Sequence, residues 1–166
     1  MEIKVLITGG TIAKRYDEIS GELLFDAEHF EKMLKQGRCE ANLNIETIMM
    51  KDSLEIDDWD RESIYNTVVS AKDKAIMIIH GTDTMVQTAV KLATIKGKTI
   101  VLVGAMIPYA FKNSDALFNI GCALGAVSVL GEGVFVVMNG KVFKWDEVVK
   151  DKVAGVFVED NQTDIV

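Results

Sequence analysis

Four short polar sets each follow directly on an apolar run in this chain: Thr8-Gly9-Gly10-Thr11, Lys51-Asp52-Ser53, His80-Gly81-Thr82-Asp83 and Gly104-Ala105-Met106. Three of the four are dominated by hydroxyls, carboxylates and glycines. A threonine hydroxyl is a weak nucleophile until an adjacent base takes its proton. A lysine serves as that base when burial and neighbours lower its pKa, with a carboxylate holding it in place. Thr, Asp and Lys together can therefore do what Ser, His and Asp do elsewhere. Backbone N–H groups around Gly81 and Thr82, at a helix N-terminus, can stabilise a developing oxyanion. Lysine and arginine number 18 together, so residue type alone does not select the lysine.

Each set also has a plainer reading. Gly9 and Gly10 read equally well as a tight turn permitting positive φ, and the GxGxxG spacing of a dinucleotide site is absent. Thr82 or Asp83 can cap a helix beginning near Thr84, although a cap needs one such side chain and here Thr, Asp and Thr run consecutively. Ser53 follows a strand and can meet a ligand, while Asp57 and Asp58 read as the start of the next helix. A lone strand-end histidine, His80, reads as a hydrogen-bonded structural residue rather than a base. His29 sits in an amphipathic helix and is expected at the surface.

The elements that must position these residues alternate along the chain. "IKVLIT", "LNIETIMM", "AIMIIH", "KTIVLVGA" and "GVFVVMNG" read as strands. "DAEHFEKMLKQG", "IDDWDRESIYNTVVSAKDK", "TDTMVQTAVKLATIKGK" and "NSDALFNIGCALGAVSVL" show the three- and four-residue spacing of helices. Strand alternating with helix predicts a doubly wound α/β domain spanning 1–166, its mostly parallel sheet covered by helices on both faces in three layers. In such sheets the pocket lies outside the carboxyl ends of the strands, where the four polar sets fall. "KVFKW" and "AGVFVED" read as two short strands, a hairpin on the sheet edge. The single proline, Pro108, falls in the loop after the fourth strand.

Charge narrows the partners. With 25 acidic against 18 basic residues the net charge is -7, which disfavours nucleic acid and anionic membranes and leaves small-molecule chemistry open. Cys39 and Cys122 make no disulfide framework and no CxxC zinc pair. They read as free thiols in a reducing cytoplasm, with Cys122 packed in the core. "MEIKVLITGG" carries Glu2 and Lys4 and is not a signal peptide, and no run approaches the ~18 apolar residues of a membrane span. The expectation is a soluble cytoplasmic protein.

"TGGTIA", "HGTDT" and "VLVGAMIPYAFKNSDALFNI", continuing through "FVVMNGKV" to "WDEVVKDK", resemble the bacterial-type L-asparaginase family. That family includes glutaminase-asparaginases and the asparaginase-like subunit of an archaeal transamidosome. The resemblance implies hydrolysis of L-asparagine to aspartate and ammonia through a threonine nucleophile, with no metal or organic cofactor. It casts Thr11 as nucleophile, Tyr16 as the tyrosine of a mobile flap, and Thr82, Asp83 and Lys150 as the triad, with Lys152 the alternative lysine. It gives Ser53 the substrate's α-carboxylate and Asp83 its α-amino group, with Gly10, Gly81, Thr82 and Ala105 also lining the substrate. A homodimer or tetramer is implied.

Three departures stand against that pattern. Relatives carry a second, smaller domain that completes a neighbour's site, and this chain runs only through the equivalent of the larger one. Leu54 follows Ser53 where relatives carry a polar residue, and Ile107 stands where arginine is usual. The reaction machinery is retained while the grip on substrate is reduced. A module that binds a small acidic amino acid without turnover, or that works only with a partner, is the alternative.

Overall fold

The computed structural model describes residues 1–26 and 28–160. Ala27, in the expected helix over 26–37, and the last six residues of the expected 1–166 domain lie outside the described residues. In chain order the strands and helices are β1 (Glu2–Gly9), β2 (Lys14–Asp17), β3 (Glu22–Phe25), α1 (His29–Gln36), β4 (Asn42–Lys51), α2 (Asp58–Ser70), β5 (Ala75–Ile79) and α3 (Met85–Leu92). There follow β6 (Thr99–Val103), α4 (Ala116–Val129), β7 (Gly133–Met138), β8 (Lys141–Lys144), β9 (Val148–Asp151) and β10 (Val156–Glu159). Single 3-10 turns at Thr11–Ala13 and Ser53–Glu55 follow β1 and β4.

Six strands form the main sheet in the order β4-β1-β5-β6-β7-β8. The first five are parallel, and β8 returns antiparallel on β7. Every residue of β5 is buried, which is why "AIMII" carries no polar alternation. Helices pack on this sheet through residues such as Ile64 and Val68 of α2, Met85, Ala89 and Leu92 of α3, and Ile120, Ala123 and Val127 of α4. Asp57 starts α2 with a reciprocal capping box: its carboxylate accepts from Asp60 N at 2.9 Å, and the Asp60 carboxylate accepts from Asp57 N at 3.1 Å. No helix among the described residues is long and apolar enough to cross a membrane.

Strand order decides where a site can form. After β1 the chain crosses to β4 on one side, then returns to β5 on the other. The connections leaving β1 and β5 therefore part company, and a crevice opens between their carboxyl ends.

Three expectations are corrected. "KVFKW" and "AGVFVED" do not pair with each other: the first supplies β8 on the main sheet, and the second supplies β10, whose partner is β9 in a separate two-stranded sheet. His29 is buried rather than on the surface, because Tyr109 stacks edge-on against its ring at 5.5 Å and Asp26 Oδ2 lies 3.3 Å from Nε2. Cys122 is half-buried against the margin of the core rather than within it, since α4 turns that side partly outward. Residues 14–25, which show no strand pattern in the sequence, form the β2–β3 hairpin. Gly21, at φ 74°, allows its turn.

Candidate active site

Two glycine turns meet at the crevice. Gly9 and Gly10, at φ 109° and 77°, leave β1 in the left-handed region that side chains avoid. Gly10 lies so close to the β5 turn that a Cβ there would sit 2.5 Å from both Cα and N of Gly81. A Cβ on Gly81 would in turn meet Oγ and Cβ of Ser53 at 2.6 Å. Bare backbone at these positions draws the ends of β1, β4 and β5 together. Thr8 Oγ1 adds a bond to Ile79 O at 2.8 Å.

The residues after β5 are held from below and from the side. His80 is fully buried. Its Nδ1 lies 2.7 Å from Gly81 O, a group that only accepts, so Nδ1 carries the proton and Nε2 accepts from Thr88 Oγ1 at 2.8 Å. Burial pushes the His80 pKa down to about 4. The ring is a neutral strut beneath the loop. Ser53, 2% exposed, accepts from Asp83 N at 3.2 Å through Oγ and from Thr84 Oγ1 at 2.7 Å through its carbonyl.

His80 gives a pH-dependent stability with a definite sign. Between its ordinary value of 6.5 and about 4 the unfolded chain binds a proton that the folded chain refuses. Acidification through that window therefore favours unfolding, by about 3 kcal/mol when complete. The stabilisation is full above pH 6.5 and lost toward pH 4. Denaturant unfolding at stepped pH is expected to show this loss, and His80→Gln to remove most of the slope. An identical slope in the variant would count against it.

Neither Thr82 nor Asp83 caps the following helix. Thr84 occupies that place, and its hydroxyl is turned to Ser53 instead. Thr82 and Asp83 are thereby freed to face Lys150. The Lys150 ammonium donates to Thr82 Oγ1 at 2.7 Å and to Asp83 Oδ1 at 2.7 Å. Its side chain is 12% exposed. Lys152, by contrast, is exposed in the turn after β9.

Lys150 arrives on β9, outside the main sheet, so something must fix that strand. Phe157 and Val148 bury their side chains in the core. A relay of amides does the rest. Asn119 of α4, fully buried, donates to Gly104 O at 3.1 Å and to Asp115 Oδ2 at 2.8 Å, while its Oδ1 accepts from Asn139 N at 3.1 Å. Asn139 Oδ1 then accepts from Phe157 N at 3.0 Å. Register places Phe157 opposite Lys150. Asn119 and Asn139 support the strand that carries Lys150 and are not singled out by the sequence; a polar amide inside an otherwise apolar helix is the signal for the first.

Thr11 opens the turn after Gly10, part-buried, and its hydroxyl has no partner among the described residues. No hydrogen bond joins Tyr16 to it among the described residues. Tyr16 lies on β2, 56% exposed, with its hydroxyl beside Gly21 at the hairpin turn. Ala105 is buried after β6, where Asp115 accepts from the N–H groups of Met106 and Ile107. Leu54 is 72% exposed and Ile107 39% exposed. Asp52 precedes Ser53, and the Lys14 ammonium donates to its Oδ2. That hydrogen bond holds the Asp52 carboxyl below its ordinary value.

A crevice at a topological switch point, carrying a lysine paired to a threonine and an aspartate, defines a class of site suited to acyl transfer. The asparaginase N-terminal family model matches residues 2–156, and the chain belongs to that family. It is 34% identical over 149 residues to an L-asparaginase of Thermococcus kodakarensis, covering 86% of this chain and 45% of that protein. It is 31% identical over 150 residues to one of the subunits of the glutamyl-tRNA(Gln) amidotransferase of Pyrococcus abyssi, covering 84% of this chain and 34% of the relative. The chain thus spans less than half the length of these relatives. The solved thermostable L-asparaginase from Thermococcus kodakarensis superposes with a TM-score of 0.86 at 30% identity, over 97% of this chain and 52% of its own.

Proposed function

We propose that this domain hydrolyses the side-chain amide of a small amino acid, L-asparagine first, through an acyl-threonine intermediate. One observation carries the reading: Lys150 Nζ lies 2.7 Å from both Thr82 Oγ1 and Asp83 Oδ1. Thr11 Oγ attacks the carboxamide carbon, giving up its proton toward the basic groups of the site as the C–O bond forms. The negative oxygen so created is met by backbone N–H groups at the strand ends. The C–N bond then breaks, and the nitrogen takes a proton and leaves as ammonia. Thr82 and Lys150 next draw a proton from water, whose oxygen attacks the ester and releases the carboxylate and Thr11. Asp83 balances the ammonium charge whenever Lys150 is protonated. This scheme draws on no metal or organic cofactor.

Ser53 offers its hydroxyl to the substrate's α-carboxylate, and the free carboxylate oxygen of Asp83 takes the α-amino group. Gly10, Gly81 and Ala105 border the same space. Tyr16 joins the site only if the hairpin bends, which binding of substrate would have to induce. Assembly as a homodimer or tetramer, and work in the cytoplasm, accord with this reading. A second reading rests on exposed Leu54 and Ile107 at the mouth: a module that gains full substrate grip only with a partner.

Ammonia release from asparagine by purified protein is the test, with Thr82→Ala as the control. Release by the parent and its loss in the variant are expected. Equal release from both would overturn the catalytic reading, and release only with a second polypeptide would favour the partner-dependent one.

A further inference from the structure

The β2–β3 hairpin stands apart from the main sheet, because its two strands pair only with each other. Its far side is open: Tyr16, Ile19 and Leu23 are 56%, 93% and 45% exposed. At its base Asp26 N donates to Ala13 O at 2.8 Å, which closes the hairpin but ties it to nothing across the crevice. Among the described residues, the hairpin's one side-chain hydrogen bond to the rest of the molecule comes from Lys14, the first residue of β2, which donates to Asp52 Oδ2. Within the hairpin, the Asp17 carboxylate is held by Ser20 N, Ser20 Oγ and Arg15.

Asp52 is placed to pass that contact on. Its other oxygen, Oδ1, accepts from Leu54 N at 3.1 Å and so starts the 3-10 turn whose first residue is Ser53. Ser53 holds Asp83 N and Thr84 Oγ1. One carboxylate thus binds the hairpin with one oxygen and sets the Ser53 turn with the other. Both partners are largely shielded, at 18% exposure for Lys14 and 31% for Asp52, so water competes less than at an open surface pair. The Lys14 ammonium also lies 5.8 Å from the centre of the Phe25 ring, which steadies it within the hairpin. The Lys14 hydrogen bond chiefly, and the Lys150 charge in small part, hold the Asp52 carboxyl below its ordinary value.

We propose that the Lys14–Asp52 ion pair is a tether that sets the hairpin over the Ser53 turn, making Lys14 and Asp52 positioning residues for the candidate site. Neither touches the reacting atoms. When the pair is intact, hairpin position and Ser53 geometry move together; when it is cut, the Asp26–Ala13 backbone bond and the packing of Phe25 on the core remain, but the link to the Ser53 turn is lost. The tether itself is a structural claim; only its effect on turnover rests on the amidase reading.

Hydrogen exchange read by mass spectrometry separates the two. Asp52→Asn keeps an oxygen for Leu54 N while removing the ionic contact, and Lys14→Met removes the contact from the other side. Each is expected to raise exchange across residues 14–25 by about fivefold, as loss of a part-shielded ion pair implies. The double variant is expected to exchange no faster than either single, and Lys14→Arg to restore the parent pattern. Unchanged exchange in both singles, or additive effects in the double, would overturn the tether. In a turnover assay the same variants should raise KM for asparagine with a smaller change in kcat. A fall in kcat alone would remove the positioning role, whereas absence of turnover in the parent chain defeats the proposed function and leaves the exchange result to decide the tether.

Discussion

Lys150→Met is expected to reduce ammonia release from asparagine by about a thousandfold or more, the scale seen when one member of a catalytic triad is removed. Methionine preserves the length and the apolar stem but removes both 2.7 Å bonds, leaving Thr82 without a proton partner and Asp83 without a counter-charge. Lys150→Arg makes the sharper comparison. A guanidinium restores the charge beside Asp83 yet does not release a proton at accessible pH. If lysine acts only as a fixed charge, the arginine variant should recover most of the activity; if it carries a proton, arginine should be nearly as poor as methionine. The second result is expected. A methionine variant within about threefold of the parent would remove Lys150 from the mechanism altogether.

A large loss of stability is expected at Gly10→Ala. Its Cβ would lie 2.5 Å from backbone atoms of Gly81, and backbone does not rotate aside as a side chain can. Positive φ adds strain of its own. Chemical denaturation should show a loss of about 2–4 kcal/mol, at the high end for a single substitution. Gly104→Ala belongs to the same class, with His80 O at 2.4 Å. Gly121→Ala is the control: nothing lies within 4 Å of a Cβ there, and it sits within α4. That change should be neutral or stabilise by up to ~1 kcal/mol through helix propensity. Equal losses at positions 10 and 121 would mean that the contact between the two turns is not what holds the crevice.

The parallel strands are legible in the sequence because each is a short apolar run buried on both sides, a pattern that survives without tertiary information. "AIMII" is the clearest instance. The polar sets at their ends are legible for the same reason, as interruptions with no hydrophobic cause. The β2–β3 hairpin is not, since Lys14, Arg15 and Asp17 are half-buried polar residues and the four residues of β2 show no apolar–polar alternation. His29 misleads because its burial comes from Tyr109, far along the chain, and from nothing in its own helix. The pairing of "KVFKW" with "AGVFVED" fails on topology: both are strands, but "VVKD" lies between them and claims the second. Helix capping is the reasonable reading of Thr82 and Asp83 from sequence. It gives way because Thr84 takes the terminal position and the Ser53 carbonyl, in the turn after β4, occupies the hydroxyl that would have capped.

Fastening β9 and β10 through Asn119 and Asn139, rather than as further rungs of the main sheet, has a mechanical consequence. A continuous ladder transmits the twist of each strand to the next, so its outermost member inherits the whole accumulated rotation. Two carboxamide joints break that inheritance. The ammonium bearer can take its own tilt toward the crevice, fixed by those two joints and by the burial of Val148 and Phe157 rather than by the twist of the inner rungs.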